Sequence, residues 1–174
     1  VDITLGPEMK STGEVMGIDS TLKGAIFKGL LAAGVEIPQK GTIAATIADK
    51  DKDEAIPILV DFARAGFKLL ATEGTARRLA QAGIEARLVK KYGEGYPNIG
   101  DLIRAGEIDF VVNTLTHGRT PFSDGFQIRR AAVEFNVPCL TSLDTLRVIR
   151  EAVIEDDNPA GLDLKYLQEY VSRR

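Results

Sequence analysis

The regular alternation of short apolar runs and amphipathic stretches from Gly41 onward constrains the fold of this chain most. A short apolar run bounded by turn residues is typical of a buried strand, whereas apolar residues three and four apart indicate a helix. Five runs are predicted to be strands: residues 41–48, 67–71, 85–89, 108–115 and 137–142. Because a helical pattern follows each run, the sequence predicts an α/β fold, a doubly wound five-stranded parallel sheet with helices on both faces.

The helices predicted between these strands are amphipathic. They cover residues 53–65, 75–83, 98–106, 126–136 and 142–154, and a last short helix is predicted at 162–171. Gly83 and Gly106 are expected to end two of them, since glycine accepts the left-handed conformation found after helix ends. Pro57 is expected to delay the start of its helix or to bend it.

The first forty residues follow a different pattern. Residues 1–18 contain three glycines and a proline, which break any helical period, so we expect the tail of a larger unit that packs poorly here. Residues 19–40 are predicted to form a helix and a linker, with Asp19 or Ser20 as the helix cap. The α/β domain is expected to span residues 41–174.

Composition excludes several classes of function. A net charge of -3 gives no general attraction to nucleic acid or to an anionic membrane, and the apolar runs are too short to span a bilayer. His117 and Cys139 are the only histidine and the only cysteine, so a zinc site built from several such ligands and an intrachain disulfide are both excluded. This usage fits a reducing cytoplasm.

The carboxyl ends of the predicted strands are the expected place for a ligand, because open parallel sheets bind ligands there. The clearest signal is the junction at residues 71–75, where Thr72 and Thr75 flank Gly74 at the start of a helix. Hydroxyls, a close backbone approach and free helix N–H groups suit a phosphate or a carboxylate. An ordinary helix cap with a glycine turn has the same residues, and both interpretations stay open.

Other strand ends add donors and few carboxylates. Lys52 follows the first strand, Lys90 and Lys91 follow the third, and the fourth leads into N-T-L-T-H-G-R at residues 113–119. That last loop either satisfies its own backbone or supplies Asn113 and its hydroxyls to a ligand. The convergence of donors predicts an anion pocket. Neither Thr75 nor Lys91 is expected in the core.

Nucleophilic catalysis has little support in this sequence. Cys139 lies inside an apolar run and is expected to be a core residue. His117 lies on a loop without an obvious orienting acid, and there is no GxSxG, P-loop or GxGxxG motif.

The segment at residues 6–17 reads G-P-E-M-K-S-T-G-E-V-M-G, and it resembles the end of the second ATP-grasp unit in large subunits of carbamoyl-phosphate synthases. The rest of the chain resembles the regulatory domain that follows that unit, whose fold is shared with methylglyoxal synthase. The best motifs are G-F-x-L-x-A-T-x-G-T-A at residues 66–76 and L-V-x-K at residues 88–91.

The resemblance implies an allosteric domain that binds a nucleoside monophosphate, with UMP as inhibitor and IMP as activator. The family's effector-binding positions fall on Thr46, Lys52, Thr72, Gly74, Thr75, Lys91, Asn113 and Thr116. In the acetylglutamate-activated branch an aromatic residue stands at the position of Lys91, so lysine favours a phosphorylated effector.

The resemblance also implies a parent enzyme, a glutamine-dependent, ATP-using ligase of arginine and pyrimidine biosynthesis. It would use ATP with Mg or Mn, and K, whereas no cofactor is expected in this fragment. The implied partners are the nucleotide effector, the rest of the large subunit and a small glutaminase subunit, with homo-oligomers left open. The alternative is a lyase like methylglyoxal synthase, or an inosinicase-related enzyme domain. Tyr96 and Ser123 stand where methylglyoxal synthases need an aspartate and a histidine, so lyase chemistry is not expected.

Overall fold

In the computed structural model, the described residues contain one sheet of five parallel strands in the order β3-β2-β1-β4-β5. The strands are β1 Thr42–Thr46, β2 Lys68–Ala71, β3 Arg87–Leu88, β4 Phe110–Asn113 and β5 Cys139–Leu140. The central strand β1 pairs with β2 on one side and β4 on the other, and its middle residues are fully buried. The predicted fold class is confirmed, because all four pairings are parallel.

The structure describes residues 15–35, 38, 40–114, 123–155 and 169. The chain divides into two compact units, one of Val1–Val35 with Leu162–Arg174 and one of Glu36–Gly161. Residues 1–14 of the predicted tail at 1–18 lie outside the described residues, as does the predicted helix at 162–171 apart from Glu169. No helix in the described ranges is long and apolar enough to cross a membrane.

The helices are α1 Leu22–Ala32, α2 Lys52–Arg64, α3 Glu73–Gln81, α4 Ile99–Arg104, α5 Asp124–Glu134 and α6 Leu143–Arg150. A 3-10 turn, Asp49–Asp51, precedes α2, and a π-helical turn, Glu151–Glu155, follows α6. Gly83 and Gly106 have positive φ just after α3 and α4, so the prediction that they end these helices is confirmed.

Two predicted helix starts were wrong. α1 is capped by Thr21, whose side chain accepts from the Gly24 N–H at 3.0 Å, and not by Asp19 or Ser20. Asp19 instead accepts from the Thr21 N–H at 3.0 Å and pairs with Lys28 at 2.6 Å, and that lysine holds the pKa of the carboxyl well below its usual range. α2 begins at Lys52, so the expected delay does not occur, although Pro57 lies inside the helix with an exposed ring.

Both faces of the sheet are covered by helices. On one face Ala44, Leu70 and Val111 pack with apolar residues of α4 and α5. On the other face the rings of Phe62, Phe67 and Phe110 meet edge to face, with ring centres 5.2 to 6.1 Å apart. Because both faces of the sheet are covered, β1 has apolar side chains on both of its faces, which explains the continuous apolar run in the sequence.

All five strands are shorter than predicted, and the two edge strands are the shortest. β3 and β5 contain two residues each, and Leu88 of β3 is 62% exposed. An edge strand pairs on one side only, so the neighbouring strand and not its own composition sets where pairing stops.

Candidate functional site

The chain reverses its direction of winding between β1 and β4, which are adjacent in space but far apart in sequence. Ligands of open parallel sheets bind at such a reversal, outside the carboxyl ends of the strands. Thr46 and Asn113 are the last residues of these two strands and are paired in register. The structure therefore brings two of the predicted site residues together at the crevice.

A chain of hydrogen bonds runs through this crevice. The Asn113 Nδ2 donates to Thr46 Oγ1 at 2.5 Å, and Arg129 Nη1 of α5 donates to Asn113 Oδ1 at 2.7 Å. Gly125 lies directly above this pair, since a Cβ there would sit 3.1 Å from Arg129 Nη1 and 3.3 Å from Asn113 Oδ1. Asn113 is 3% exposed, so both of its amide atoms are used inside the protein.

Two buried threonines hold the backbone that follows β1. Thr75 Oγ1 accepts from the Ile47 N–H at 3.3 Å, and Thr114 Oγ1 accepts from the Ala48 N–H at 2.8 Å. The expectation that Thr75 lies outside the core was wrong, since it has 0% exposure. Its side chain points from the first turn of α3 into the junction with β1, where the loop covers it.

The start of α3 leaves backbone donors available. Thr72 is the N-cap residue and is 6% exposed, but its side chain makes no cap hydrogen bond. Its carbonyl accepts from Thr75 and Ala76, while the N–H groups of Glu73 and Gly74 donate no hydrogen bond within the described part of the chain. These two N–H groups, with the positive end of the helix dipole, form the anion-attracting feature that the sequence predicted.

Lys52 lies against this helix start. A Cβ added to Gly74 would lie 2.6 Å from Lys52 Nζ, so the ammonium group occupies the space that the glycine leaves open. The Lys52 side chain is 11% exposed, and its Nζ pairs with Asp49 Oδ1 at 2.5 Å. Lys52 and Gly74, two of the predicted site residues, are therefore neighbours in the structure.

Lys91 follows β3, the neighbour of the strand β2 that leads into α3. Its side chain is half exposed, and its Nζ is 4.0 Å from Glu94 Oε1. The pKa of Asp49 is held below its usual value by the hydrogen bond and charge of Lys52, and Lys91 adds to this effect. Both lysines therefore act on one carboxylate beside the start of α3.

The remaining predicted residue, Thr116, lies outside the described residues, as do His117 and Arg119. Within the described ranges, no group of three or more histidine, cysteine, aspartate or glutamate side chains is close enough to hold a metal ion.

A known family of protein domains matches this chain over much of the sheet and its helices. The family model of the MGS-like domain matches residues 54–141, just over half of the 174 residues. This chain belongs to the MGS-like domain family.

A solved structure has the same MGS-like fold. The crystal structure of methylglyoxal synthase from Elizabethkingia anophelis NUHP1 matches with a TM-score of 0.55 and 22% sequence identity. The match covers 79% of this chain and 94% of that one. At this identity the likeness establishes the fold and leaves the reaction to be argued from the site.

Tyr96 and Ser123 of this MGS-like domain each take part in a hydrogen bond close to them in sequence. Tyr96 is 80% exposed, and its carbonyl accepts from Lys90 Nζ at 3.4 Å. Ser123 is the N-cap of α5, and its hydroxyl accepts from the Phe126 N–H at 3.4 Å. Neither side chain is a carboxylate or an imidazole, the groups expected at these places from the resemblance to methylglyoxal synthases.

Two residues of the site were missed from the sequence. Arg129 was not singled out because it lies in a helix rather than at a strand end, although it directly follows the buried Ile128. Asp49 was missed because the carboxylates at the strand ends are few, and the interpretation rested on the donors there. A search of those segments for carboxylates near a lysine would have found it, three residues before Lys52.

Proposed function

We propose that this MGS-like domain is the regulatory end of the large chain of a glutamine-dependent carbamoyl-phosphate synthase. In this proposal it binds a nucleoside monophosphate such as UMP or IMP and carries out no chemistry itself. The enzyme would act in arginine and pyrimidine biosynthesis in the cytoplasm. Effector binding would shift a conformational equilibrium that the distant active sites also sense.

The observation that carries the proposal is the placement of Lys52 at the start of α3. An ammonium group, two N–H groups that donate to no described residue and the helix dipole meet at Gly74. Lys91 adds a second positive charge that also acts on Asp49. Such a set of donors favours a dianionic phosphate, and each charge-assisted hydrogen bond contributes about 1.5–3 kcal/mol.

The crevice between β1 and β4 supplies the rest of the proposed site. Because the Asn113 amide is occupied by Thr46 and Arg129, we assign Asn113 the task of presenting Thr46 rather than of reading the base itself. Thr72 keeps a hydroxyl proton to donate, whereas the fully buried Thr75 would support the site through its hydrogen bond to the Ile47 N–H. Thr116 is kept as a proposed effector-binding residue. The phosphate would lie at the start of α3, with the nucleoside extending along the crevice.

The wider context rests on residues 6–17, whose sequence resembles the end of an ATP-grasp unit. The partners proposed for the domain are therefore the rest of the large subunit and a small glutaminase subunit. ATP with Mg or Mn, and K, would be bound by those parts of the parent enzyme and not by this domain.

Calorimetric titration of the chain with UMP, IMP, ornithine and acetylglutamate tests the proposal. We expect UMP or IMP to bind and added salt to weaken the binding, since the site recognises a dianion. Lys91→Ala should weaken binding by about tenfold while the fold survives, because its side chain is half exposed. Binding of acetylglutamate alone, or of none of the four, would contradict the proposal.

The second candidate, a methylglyoxal-forming lyase, is favoured by the structural match to a methylglyoxal synthase. Tyr96 and Ser123 argue against it, because neither supplies the acid or the histidine. The purified chain should therefore leave dihydroxyacetone phosphate unchanged. Steady formation of methylglyoxal that survives repurification and is lost in His117→Ala would decide for the lyase.

A further inference from the structure

The ion pair between Asp49 and Lys52 is unequal in its exposure. The Lys52 side chain is 11% exposed and is held against Gly74, whereas the Asp49 side chain is 95% exposed. The carboxylate therefore reaches a largely buried ammonium group from the solvent side. An incoming anion has to approach Lys52 from that same side.

Asp49 is held in this place by an anchored backbone. It opens the 3-10 turn directly after Ala48, and the Ala48 carbonyl accepts from the Asp51 N–H at 2.9 Å. The N–H groups of Ile47 and Ala48 are themselves bound by the buried Thr75 and Thr114. The backbone that presents Asp49 is thus anchored by the same threonines that shape the site.

The charges around Asp49 match those proposed for the phosphate. Lys52 contacts the carboxylate directly, and Lys91 also acts on it through space. These are the two lysines assigned to the effector. One carboxylate therefore draws on the same positive charge that a bound phosphate requires.

We infer that Asp49 is a built-in competitor for Lys52, a carboxylate that the phosphate of the effector must displace in order to bind. This inference rests on the proposed effector site and deepens it. The competitor lowers affinity, because binding exchanges one ion pair for another instead of forming a new one. It also adds a negative charge that repels a bound dianion after displacement.

Asp49→Asn tests the inference in the full 174-residue chain. The amide keeps the size of the side chain and removes its charge, and a residue this exposed tolerates the change. Exposed ion pairs are weak, so we expect UMP or IMP to bind about two- to fivefold more tightly in calorimetric titration. Inorganic phosphate, titrated alone, should show a similar gain, because the competition concerns the anion and not the nucleoside.

Asp51→Asn is the matched control, with the same loss of charge in the same turn. It should change affinity little, since Asp51 is not the partner of Lys52. In a chain that already carries Lys52→Gln, adding Asp49→Asn should raise affinity much less than it does in the parent chain, because the competition acts through Lys52. Far-ultraviolet circular dichroism confirms that each variant is folded before titration.

The outcomes separate the inference from the function on which it rests. If the parent chain binds nucleotide but Asp49→Asn binds equally well or more weakly, Asp49 positions Lys52 or is inert, and the competitor role is overturned. An equal gain in Asp51→Asn overturns it too, since the effect is then one of general charge. If neither the parent chain nor Asp49→Asn binds UMP, IMP or phosphate, the effector function itself fails and the inference fails with it.

Discussion

Arg129 and Asn113 are joined by a hydrogen bond that fixes how the Asn113 amide is turned. A guanidinium group can only donate, so the amide oxygen must face it, at 2.7 Å from Nη1. The Asn113 NH₂ group then faces Thr46 Oγ1 at 2.5 Å. Because the Thr46 hydroxyl accepts from Asn113, its own proton is left to be donated to a ligand oxygen in the crevice.

Arg129→Ala should therefore weaken nucleotide binding without contact between Arg129 and the nucleotide. Without the guanidinium group the Asn113 amide can turn over, and Thr46 then loses its fixed role as a donor. One hydrogen bond contributes about 0.5–1.5 kcal/mol, so we expect UMP or IMP affinity to fall by about two- to tenfold in calorimetric titration. Arg130→Ala, at the exposed neighbouring position, should bind as the parent does. Equal affinities for both variants would refute the ordered hydrogen-bond chain.

Thr75→Val should destabilise the fold as well as the site. The substitution keeps the shape of the side chain but leaves the buried Ile47 N–H without its acceptor. An unsatisfied buried donor costs about 1–3 kcal/mol in the free energy of unfolding, which urea denaturation measures. Thr75→Ser keeps the hydroxyl and should lose less. If valine were as stable as threonine, the hydrogen bond to Ile47 would have no structural role.

The sequence predicted the centre of the fold better than its edges. Ile43 to Ala45 are buried on both faces, so the apolar run of β1 is visible without any tertiary information. Gly83 and Gly106 end their helices through local backbone geometry, which is also a property of the residue itself. The lengths of β3 and β5 depend on where β2 and β4 offer a partner, and no local pattern records that.

For the site, the sequence predicted positions but not roles. Strand ends put Thr46 and Asn113 side by side, because parallel strands share one carboxyl edge. The burial of Thr75 follows from its bond to Ile47, 28 residues away in sequence, and so depends on the packing of α3 against the end of β1. Arg129 lies in α5, 16 residues after Asn113 in sequence. Its contact with Asn113 depends on how α5 crosses the sheet, which the sequence alone does not show.

Gly74→Ala should separate stability from binding. A Cβ at this position would lie 2.6 Å from Lys52 Nζ, the mobile end of a long side chain, which can move away at little cost. Alanine also favours helix over glycine, by about 0.5–1 kcal/mol, so urea denaturation should show unchanged or higher stability. Nucleotide affinity should nevertheless fall by about tenfold, since Lys52 leaves the start of α3.

Gly83→Ala provides the opposite control to Gly74→Ala. Nothing lies within 4 Å of a Cβ at Gly83, but its φ of +78 strains an alanine. This variant should therefore lose about 1 kcal/mol or more of stability and bind nucleotide as the parent does. A loss of binding in Gly83→Ala, or full binding in Gly74→Ala, would contradict the assignment of Gly74 to the space that Lys52 occupies.

Cys139 offers a measurement that also reports on Arg129. Burial raises the pKa of its thiol to about 11 from an ordinary 9.0, while the charge of Arg129 opposes the shift. Only the thiolate reacts, so labelling at about pH 8 should be about a hundredfold slower in the folded chain than in urea. As Cys139 is the single cysteine, the labelled product is unambiguous.

The labelling rate in the folded chain should rise about tenfold for each pH unit toward pH 11. Arg129→Ala should make labelling at a given pH slower still, because removing the cation raises the thiol pKa. A rate that levels off near pH 9, or that increases in Arg129→Ala, would show that the thiol does not have these surroundings.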